Sequence, residues 1–360
     1  MAAGIEVREA LNRTDLIFID VRSPGEFSRE SIPGAINIPL FTDDQQRRLG
    51  IIYKTEGEPA ARRAGLNFIS PRLPEIVDSV CKAAGDKTPL LYCWRGGTRS
   101  LSLFQILGML KIPALRLKGG YRAYRKYVYQ ILSCYRIKPE AVVLNGLTGV
   151  GKTAIIKQLL LQGYPAIDLE GLAHHRGSVF GAVGFTGRRS QKDFESLLLI
   201  ELNKFQTSPF LVLEGEGSRI GHLHLPRFLT QAMREGVHVL INAPLFLRAE
   251  RILQEYLSPG LSAENLSQIK QGLLSLEHRL GKTRTTRLLN LLQEGDYHTV
   301  VQELCSSYYD RLYEDAKPEH QEFITIIEAN QINQATTKLI KFLNRRYLES
   351  YLPQKEDVLT

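Results

Sequence analysis

No two cysteines in this chain stand at CxxC or zinc-like spacing: the four of them, Cys81, Cys93, Cys134 and Cys305, are scattered over 360 residues. That pattern implies neither a disulfide framework nor a structural metal. Long apolar runs are also missing, and nothing approaches the ~18 consecutive apolar residues of a membrane span. No repeat of fixed period and no low-complexity tract is visible. The opening MAAGIEVREALNRTD carries Glu6, Arg8, Glu9 and Arg13 where a signal peptide needs an unbroken apolar segment. A cytoplasmic protein with no membrane partner is expected.

What is present is enough for two cores, since 43% of the residues are hydrophobic. The net charge of +8 is uneven: residues 1–135 hold 20 Lys/Arg against 13 Asp/Glu, and residues 136–360 hold 26 against 25. A basic first part favours encounter with polyanions such as nucleic acid, or serves solubility alone.

Short apolar strands alternate with amphipathic helices throughout, the signature of α/β folds with parallel sheets. In the first part the pieces are LIFIDV (16–21), a helix over 74–84, TPLLYC (88–93), SLSLFQILGML (100–110) and a last helix YRAYRKYVYQIL (121–132). A second series of strands follows Pro139: AVVLNG (141–146), YPAIDL (164–169), PFLVLE (209–214), VHVLINA (237–243) and FITIIEA (323–329), with 245–320 largely helical. The expected organisation is an α/β domain over 1–132, a linker over 133–139 and a doubly wound parallel sheet with a helical extension over 140–360.

Two loops carry chemistry. Strand LLYC ends on Cys93, and Trp94-Arg95-Gly96-Gly97-Thr98-Arg99-Ser100 leads into a helix. Backbone N–H groups, a helix N-terminus and the cations Arg95 and Arg99 favour the thiolate, which is the nucleophile. Gly96 and Gly97 supply the unusual backbone angles of an anion cradle, which would equally hold a persulfide or selenylsulfide anion. Cys93 is therefore the expected catalytic residue, and Cys81, Cys134 and Cys305 are read as structural. The lone Trp94 either stacks on a base or packs its own loop.

The second loop is Gly146-Leu-Thr-Gly149-Val-Gly151-Lys152-Thr153, a Walker A pattern between a strand and a helix. Its backbone N–H groups can wrap a phosphate chain, Lys152 neutralises charge and the Thr153 hydroxyl suits Mg²⁺. Such a cradle recognises a diphosphate; ATP is the default, but any diphosphate ester fits. Glu214 and Glu216 follow the third strand where a metal-positioning acid often lies, and are otherwise solvated turn acids. Between the second and third strands lies a Gly-rich basic connection with His174, His175, Arg176, Arg188 and Arg189. Adjacent histidines seldom aim at one ion, so His174 and His175 are read as substrate contacts rather than metal ligands, or as having no role; His175, Arg176 and Arg219 are candidates for positioning substrate or metal.

FIDVRSPGEF (18–27), SIPGAINIPL (31–40), LLYCWRGGTRS and LKGGYRAY (117–124) occur in the order of a rhodanese domain, and residues 5–132 resemble that family. The resemblance implies that Asp20, Arg22 and Glu26 are architectural. One departure stands out: Ser100 lies seven residues after Cys93, where the common single-domain loop has six, which argues against routine thiosulfate chemistry. Together with LEGLAHHRGSVFG, SQKDFE and EGEGSRIG, the whole of 5–330 resembles the tRNA 2-selenouridine synthase family. That resemblance implies replacement of sulfur by selenium in 2-thiouridine at wobble position 34 of the tRNAs for Lys, Glu and Gln. It further implies selenophosphate and geranyl diphosphate as co-substrates, an S-geranyl-2-thiouridine intermediate, Mg²⁺ at Thr153 with the diphosphate, and no tightly bound cofactor. For tRNA, the basic stretch of Arg116, Lys118, Arg122, Arg125 and Lys126, with Tyr121 and Tyr124 for stacking, is one expected surface. Two other readings of the same motifs remain open here: a small-molecule sulfurtransferase fused to an ATP-dependent kinase, and a non-catalytic RNA-binding protein.

Overall fold

A computed structural model describes residues 4–185, 187–215, 217–257, 262–316 and 322–348. The chain forms two units: residues up to 134 together with 190–199, and residues 135–189 together with those from 200 onward.

In the first unit, β1 (Gly4–Ile5), β2 (Leu16–Asp20), β3 (Ile36–Asn37), β4 (Thr88–Tyr92) and β5 (Leu115–Leu117) form a parallel sheet in the order β1-β5-β4-β2-β3. Its helices are α1 (Val7–Leu11), α2 (Pro24–Arg29), α3 (Asp43–Thr55), α4 (Glu58–Ile69), α5 (Leu73–Ala84), α6 (Thr98–Met109) and α7 (Gly120–Ser133). The central strands are apolar almost throughout because helices cover them: Ile19 and Leu91 pack with Val80, Leu103 and Leu107 in one buried cluster. Helices α2 and α3 begin with capping boxes, Ser23 with Glu26 and Thr42 with Gln45, which satisfy otherwise orphaned N–H groups.

Under this sheet edge lies a buried ion pair. Arg22 donates from Nε and Nη2 to both Asp20 carboxylate oxygens at 2.7–3.0 Å and from Nη2 to the Glu30 carbonyl at 2.7 Å. Its guanidinium carbon also sits 4.4 Å from the Tyr121 ring centroid. Both partners are essentially inaccessible, at 0% and 1% exposure.

Three expectations from the sequence are corrected in this unit. Tyr121 and Tyr124 are buried, since α7 turns Tyr121, Tyr124, Val128 and Leu132 inward at helical spacing, so neither ring is available to stack on a base. Cys81 and Cys134 are exposed rather than structural, whereas Cys305 is buried. Residues 190–199, assigned from sequence to the 140–360 domain, belong with the first unit. The reason is a set of polar ties: Arg125 donates to the Lys192 carbonyl (2.8 Å), Ser196 Oγ (2.9 Å) and Glu195 Oε2 (2.5 Å), and Lys192 pairs with Glu30 (2.7 Å).

In the second unit, β6 (Glu140–Asn145), β7 (Ala166–Ile167), β8 (Phe210–Glu214), β11 (Val237–Asn242) and β12 (Thr325–Glu328) form a parallel sheet in the order β12-β11-β6-β8-β7. The hairpin β9 (Arg219–Ile220) and β10 (Leu223–His224) is separate. Helices α8 (Lys152–Leu161), α9 (Leu169–Ala173), α10 (Gln191–Lys204, which begins in the first unit) and α11 (Arg227–Glu235) alternate with these strands. The predicted helical stretch contains α12 (Leu245–Leu257), α13 (Ala263–Ser275), α14 (Glu277–Leu280), α15 (Lys282–Glu294), α16 (Tyr297–Leu304), a π-turn (Cys305–Tyr309) and α17 (Asp310–Ala316), and α18 (Ile332–Leu343) follows β12. This extension has its own apolar core, with Leu273, Leu288, Leu292 and Val300. Strand order reverses about β6, so the end of β6 is the switch point at which open α/β sheets bind ligands. No helix among the described residues is long and apolar enough to cross a membrane.

Removing one member of a buried ion pair leaves the other charged and unsolvated. Asp20→Ala is expected to destabilise the first unit by about 3–5 kcal/mol, read from the urea transition of Trp94 fluorescence; a loss under about 1 kcal/mol would show that Arg22 finds another acceptor.

Candidate functional site

Cys93 directly follows β4, and its Sγ lies 3.3 Å from Ser100 Oγ at the start of α6. The longer spacing between the two residues therefore still brings hydroxyl and sulfur together. Around them the loop is held from outside by its carbonyls. Cys93 O accepts from Tyr121 N–H (2.9 Å), Trp94 O from Arg122 N–H (2.9 Å) and Gly96 O from Arg116 Nη2 (3.1 Å). The backbone N–H groups from Trp94 to Ser100 have no acceptor among the described residues. Such a run of free donors at a helix start is an anion cradle.

Gly120, not singled out from the sequence, is what lets this loop close: a Cβ there, at φ +58°, would stand 2.1 Å from Cys93 O and 2.5 Å from Gly96 N. Its only sequence signal is the GG pair of LKGGYRAY. Gly96 has φ +66°, as expected, but Gly97 does not need to be glycine: its φ is −89° and a Cβ would meet nothing within 4 Å. Arg99 is turned away from the sulfur into an ion pair with Glu26 at 2.5 Å, while Arg95 is exposed. Trp94 is half-buried, 5.6 Å from the Tyr121 ring. Of the basic stretch, Arg116 and Arg125 serve the loop and residues 192–196, Lys118 pairs with Glu6 (3.0 Å), and Arg122 and Lys126 are exposed.

The phosphate loop joins β6 to α8. At Gly146, φ +144°, a Cβ would lie 2.3 Å from Ile241 O, so the chain turns there only as glycine; Gly149 and Gly151 also have positive φ. Lys152 Nζ donates to Gly146 O (2.8 Å). Two arginines of α12 hold the loop's outer side: Arg248 Nε donates to Thr148 O and Arg251 Nη1 to Val150 O, each at 2.8 Å. Arg248 is buried and paired with Asp310.

Thr153 Oγ1 donates to Glu170 Oε2 (2.9 Å), and Glu170 N–H donates to Glu214 Oε2 (3.1 Å). Glu170 was not singled out from the sequence, although it stands in LEGLAHHRGSVFG; it sits in the first turn of α9, two residues after the capping Asp168, and nothing local marks it as a partner of Thr153. Thr153, Glu170 and Glu214 offer hard oxygen donors of the kind Mg²⁺ takes. Glu216 lies outside the described residues. Arg219 is exposed on β9 and does not line the phosphate-loop cavity.

His175 is wedged between backbones: a Cβ at Gly181 or Gly221 would lie 2.6 Å from its ring, and its Nδ1 accepts from Gly177 N–H (3.1 Å). Burial, then the charges of His222, Arg188 and Arg176, push its pKa down. Arg176 donates to Val183 O (2.7 Å), pairs with Glu255 (2.5 Å) and lies over the rings of Phe185 and Tyr256. No cluster of three His, Cys, Asp or Glu that could hold a metal occurs among the described residues.

From the phosphate loop a cavity of about 910 Å³ opens toward the helical extension. Gly149, Lys152, Thr153, Glu170 and Arg176 form its polar end, and Phe180, Ile252, Tyr256, Leu292, Val301 and Leu304 are among its apolar walls.

The sequence profile of the tRNA 2-selenouridine synthase AAA domain matches residues 139–343, and that of the rhodanese-like domain matches 5–127. The tRNA 2-selenouridine synthase of Pseudomonas syringae pv. syringae is 34% identical over 343 residues, covering 87% of this chain and 92% of that protein. Those of Cupriavidus pinatubonensis (32%; 82% and 87% covered) and Verminephrobacter eiseniae (35%; 83% and 88% covered) are similar. The chain belongs to the tRNA 2-selenouridine synthase family. In this family member the two loops named from the sequence each sit at the C-terminal end of a central parallel strand.

Two outcomes follow from this geometry. Burial pushes the Glu26 carboxyl up, but the hydrogen bonds and charge of Arg99 outweigh it and hold it below its ordinary range. The tie to Arg99 is thus complete above the unfolded carboxyl value of about 4.3 and is lost as pH falls through the lower folded value. Trp94 emission should change only in that acid window and be altered already at neutral pH in Glu26→Gln; a transition above about pH 5 would assign the loop's order to another group. At the phosphate loop, Lys152→Ala should weaken binding of inorganic diphosphate about 10–100-fold. Glu170→Gln should weaken diphosphate binding measured with Mg²⁺ and leave binding without Mg²⁺ unchanged, both read by calorimetry; unchanged binding in either variant would displace that residue from the site.

Proposed function

We propose that this protein replaces sulfur by selenium in 2-thiouridine at the wobble position of tRNA, with selenophosphate as selenium donor and an S-geranyl intermediate made from geranyl diphosphate. The observation that carries the donor is the cavity: the phosphate loop opens onto apolar side chains, which suit a hydrocarbon tail on a diphosphate. The tRNA substrate rests on family membership, and the tRNAs for Lys, Glu and Gln are the expected isoacceptors.

The diphosphate lies along the loop from Thr148 to Thr153, where Val150 N–H alone is already taken, by Leu147 O at 3.4 Å, with Lys152 turning from Gly146 O to the phosphate oxygens. Thr153, Glu170 and Glu214 are the residues that would hold Mg²⁺, which supplies charge neutralisation to the leaving diphosphate. The sulfur of 2-thiouridine attacks C1 of the geranyl group; the C1–O bond breaks, the diphosphate departs with the electron pair and the base loses its N3 proton. A thiocarbonyl sulfur, a poor leaving group, has become a thioether. Water attacks the phosphorus of selenophosphate and breaks the P–Se bond, leaving phosphate and hydrogen selenide; the selenide adds to C2, the C2–S bond breaks, and geranylthiolate leaves with the electron pair and takes up the selenide proton.

Cys93 belongs to the selenation half of this scheme. Its sulfur lies 3.3 Å from Ser100 Oγ in a loop whose N–H groups have no acceptor among the described residues, a donor set that suits a selenium or phosphate anion.

The test is a nucleoside mass spectrum of 2-thiouridine-containing tRNA after incubation with the protein, Mg²⁺, geranyl diphosphate and selenophosphate. S-geranyl and seleno masses are expected, with Cys93→Ala keeping the first and losing the second and Lys152→Ala losing both. Unchanged nucleosides, with thiosulfate:cyanide activity and phosphate transfer in the same preparation, would overturn the proposal in favour of a small-molecule sulfurtransferase.

A further inference from the structure

The apolar part of the phosphate-loop cavity comes largely from the helical extension rather than from the sheet. Ile269 on α13, Leu292 on α15 and Val301 on α16 line it, together with Phe180 from the connection after α9. Leu292 and Phe180 are themselves anchored in the extension's buried core. Phe180 lies so close to α13 that a Cβ at Gly272 would be 2.4 Å from its ring, so this wall is fixed in place. Ile269 and Val301 are only half-buried, and what they leave uncovered borders the cavity.

We infer that Phe180, Ile269, Leu292 and Val301 set the length of isoprenoid chain the site accepts, so that the helical extension selects the donor while the phosphate loop holds it. This rests on the isoprenyl diphosphate reading above. The loop contacts only the diphosphate, which is identical in every isoprenyl donor, so discrimination has to come from walls that meet the tail. A buried methylene is worth roughly fourfold in affinity, so a five-carbon unit accepted or refused changes binding by up to about 10²–10³-fold. At about 910 Å³ the cavity has room for a tail beyond the diphosphate. Adding bulk at its walls shortens the accepted chain, and removing bulk lengthens it.

The experiment measures binding of inorganic diphosphate and of dimethylallyl, geranyl and farnesyl diphosphates to the full chain with Mg²⁺, by calorimetry. In the unmodified protein geranyl diphosphate should bind more tightly than inorganic diphosphate. Val301→Phe should weaken geranyl diphosphate at least about 10-fold while leaving inorganic and dimethylallyl diphosphates within about twofold. Ile269→Ala should raise farnesyl relative to geranyl affinity by about fivefold or more. Thermal melting reports whether each variant folds, and Ile269→Phe, on a different helix, makes the same demand as Val301→Phe. Folded variants that keep the original order of chain lengths would overturn the inference and leave the isoprenyl reading intact. An unmodified protein that binds geranyl diphosphate no better than inorganic diphosphate would overturn both.

Discussion

A parallel strand that runs into a helix leaves backbone N–H groups at the junction with no partner in the chain, and both functional loops depend on that constraint. At β4 to α6 and at β6 to α8 the carbonyls are tied from outside. Tyr121, Arg122 and Arg116 hold the first loop, and Arg248 and Arg251 hold the second. The first loop keeps its shape without using its own N–H groups from Trp94 to Ser100, and the second uses only Val150 N–H and the Lys152 ammonium, to Leu147 O and Gly146 O. A sulfur or selenium anion and a diphosphate differ in chemistry, yet both need oriented N–H groups at one point. The same backbone device can serve either.

Several arginines that make the first unit basic are structural props. Arg22 is sealed beneath Tyr121, Arg99 is locked to Glu26, and Arg125 holds residues 192–196 to α7. Arg248 does the same work at the phosphate loop through its pair with Asp310. A planar, always-charged group with five donors suits such positions, because one side chain can satisfy several carbonyls at once. The basic composition thus overstates the number of cations that face solvent. Of the cations on α7, Arg122 and Lys126 are the exposed ones.

The elements legible in the sequence were those with a strong period or a chemical reason for their residues. The central strands β2, β4, β6, β8 and β11 read as apolar runs because helices bury both faces. Walker A spacing and the CWRGG turn are legible because few other residues could make those turns. β1, β3 and the β9–β10 hairpin are two residues per strand, too short for any period to show. Helices α3 and α4 passed unnoticed in a stretch whose apolar residues are sparse, with Ile51, Tyr53 and Leu66 left exposed. Glu170 and Gly120 stand inside LEGLAHHRGSVFG and LKGGYRAY, yet each matters through a partner elsewhere in the chain, Thr153 or Cys93, which the motif alone does not name. The placement of residues 190–199 likewise rests on Arg125, some 65–75 residues earlier in the chain.

The two buried cysteines show how environment separates roles that the residue type alone does not. Cys305 lines the cavity beside the phosphate loop, where burial pushes its thiol up to about 11 even though Arg248 pulls the other way. At neutral pH such a group is thiolate in only about one molecule in 10⁴. On the proposed function an allylic diphosphate occupies that cavity, and a thiolate there would compete with 2-thiouridine for its C1 carbon. Burial, outweighing the pull of Arg248, holds Cys305 largely in its unreactive thiol form. Cys93 is buried to a similar degree, but its neighbours are a hydroxyl, a helix start and free N–H groups. On the proposed function the sulfur of Cys93 and the C1 carbon of the donor therefore meet surroundings of different polarity, which suits their placement in two separate sites.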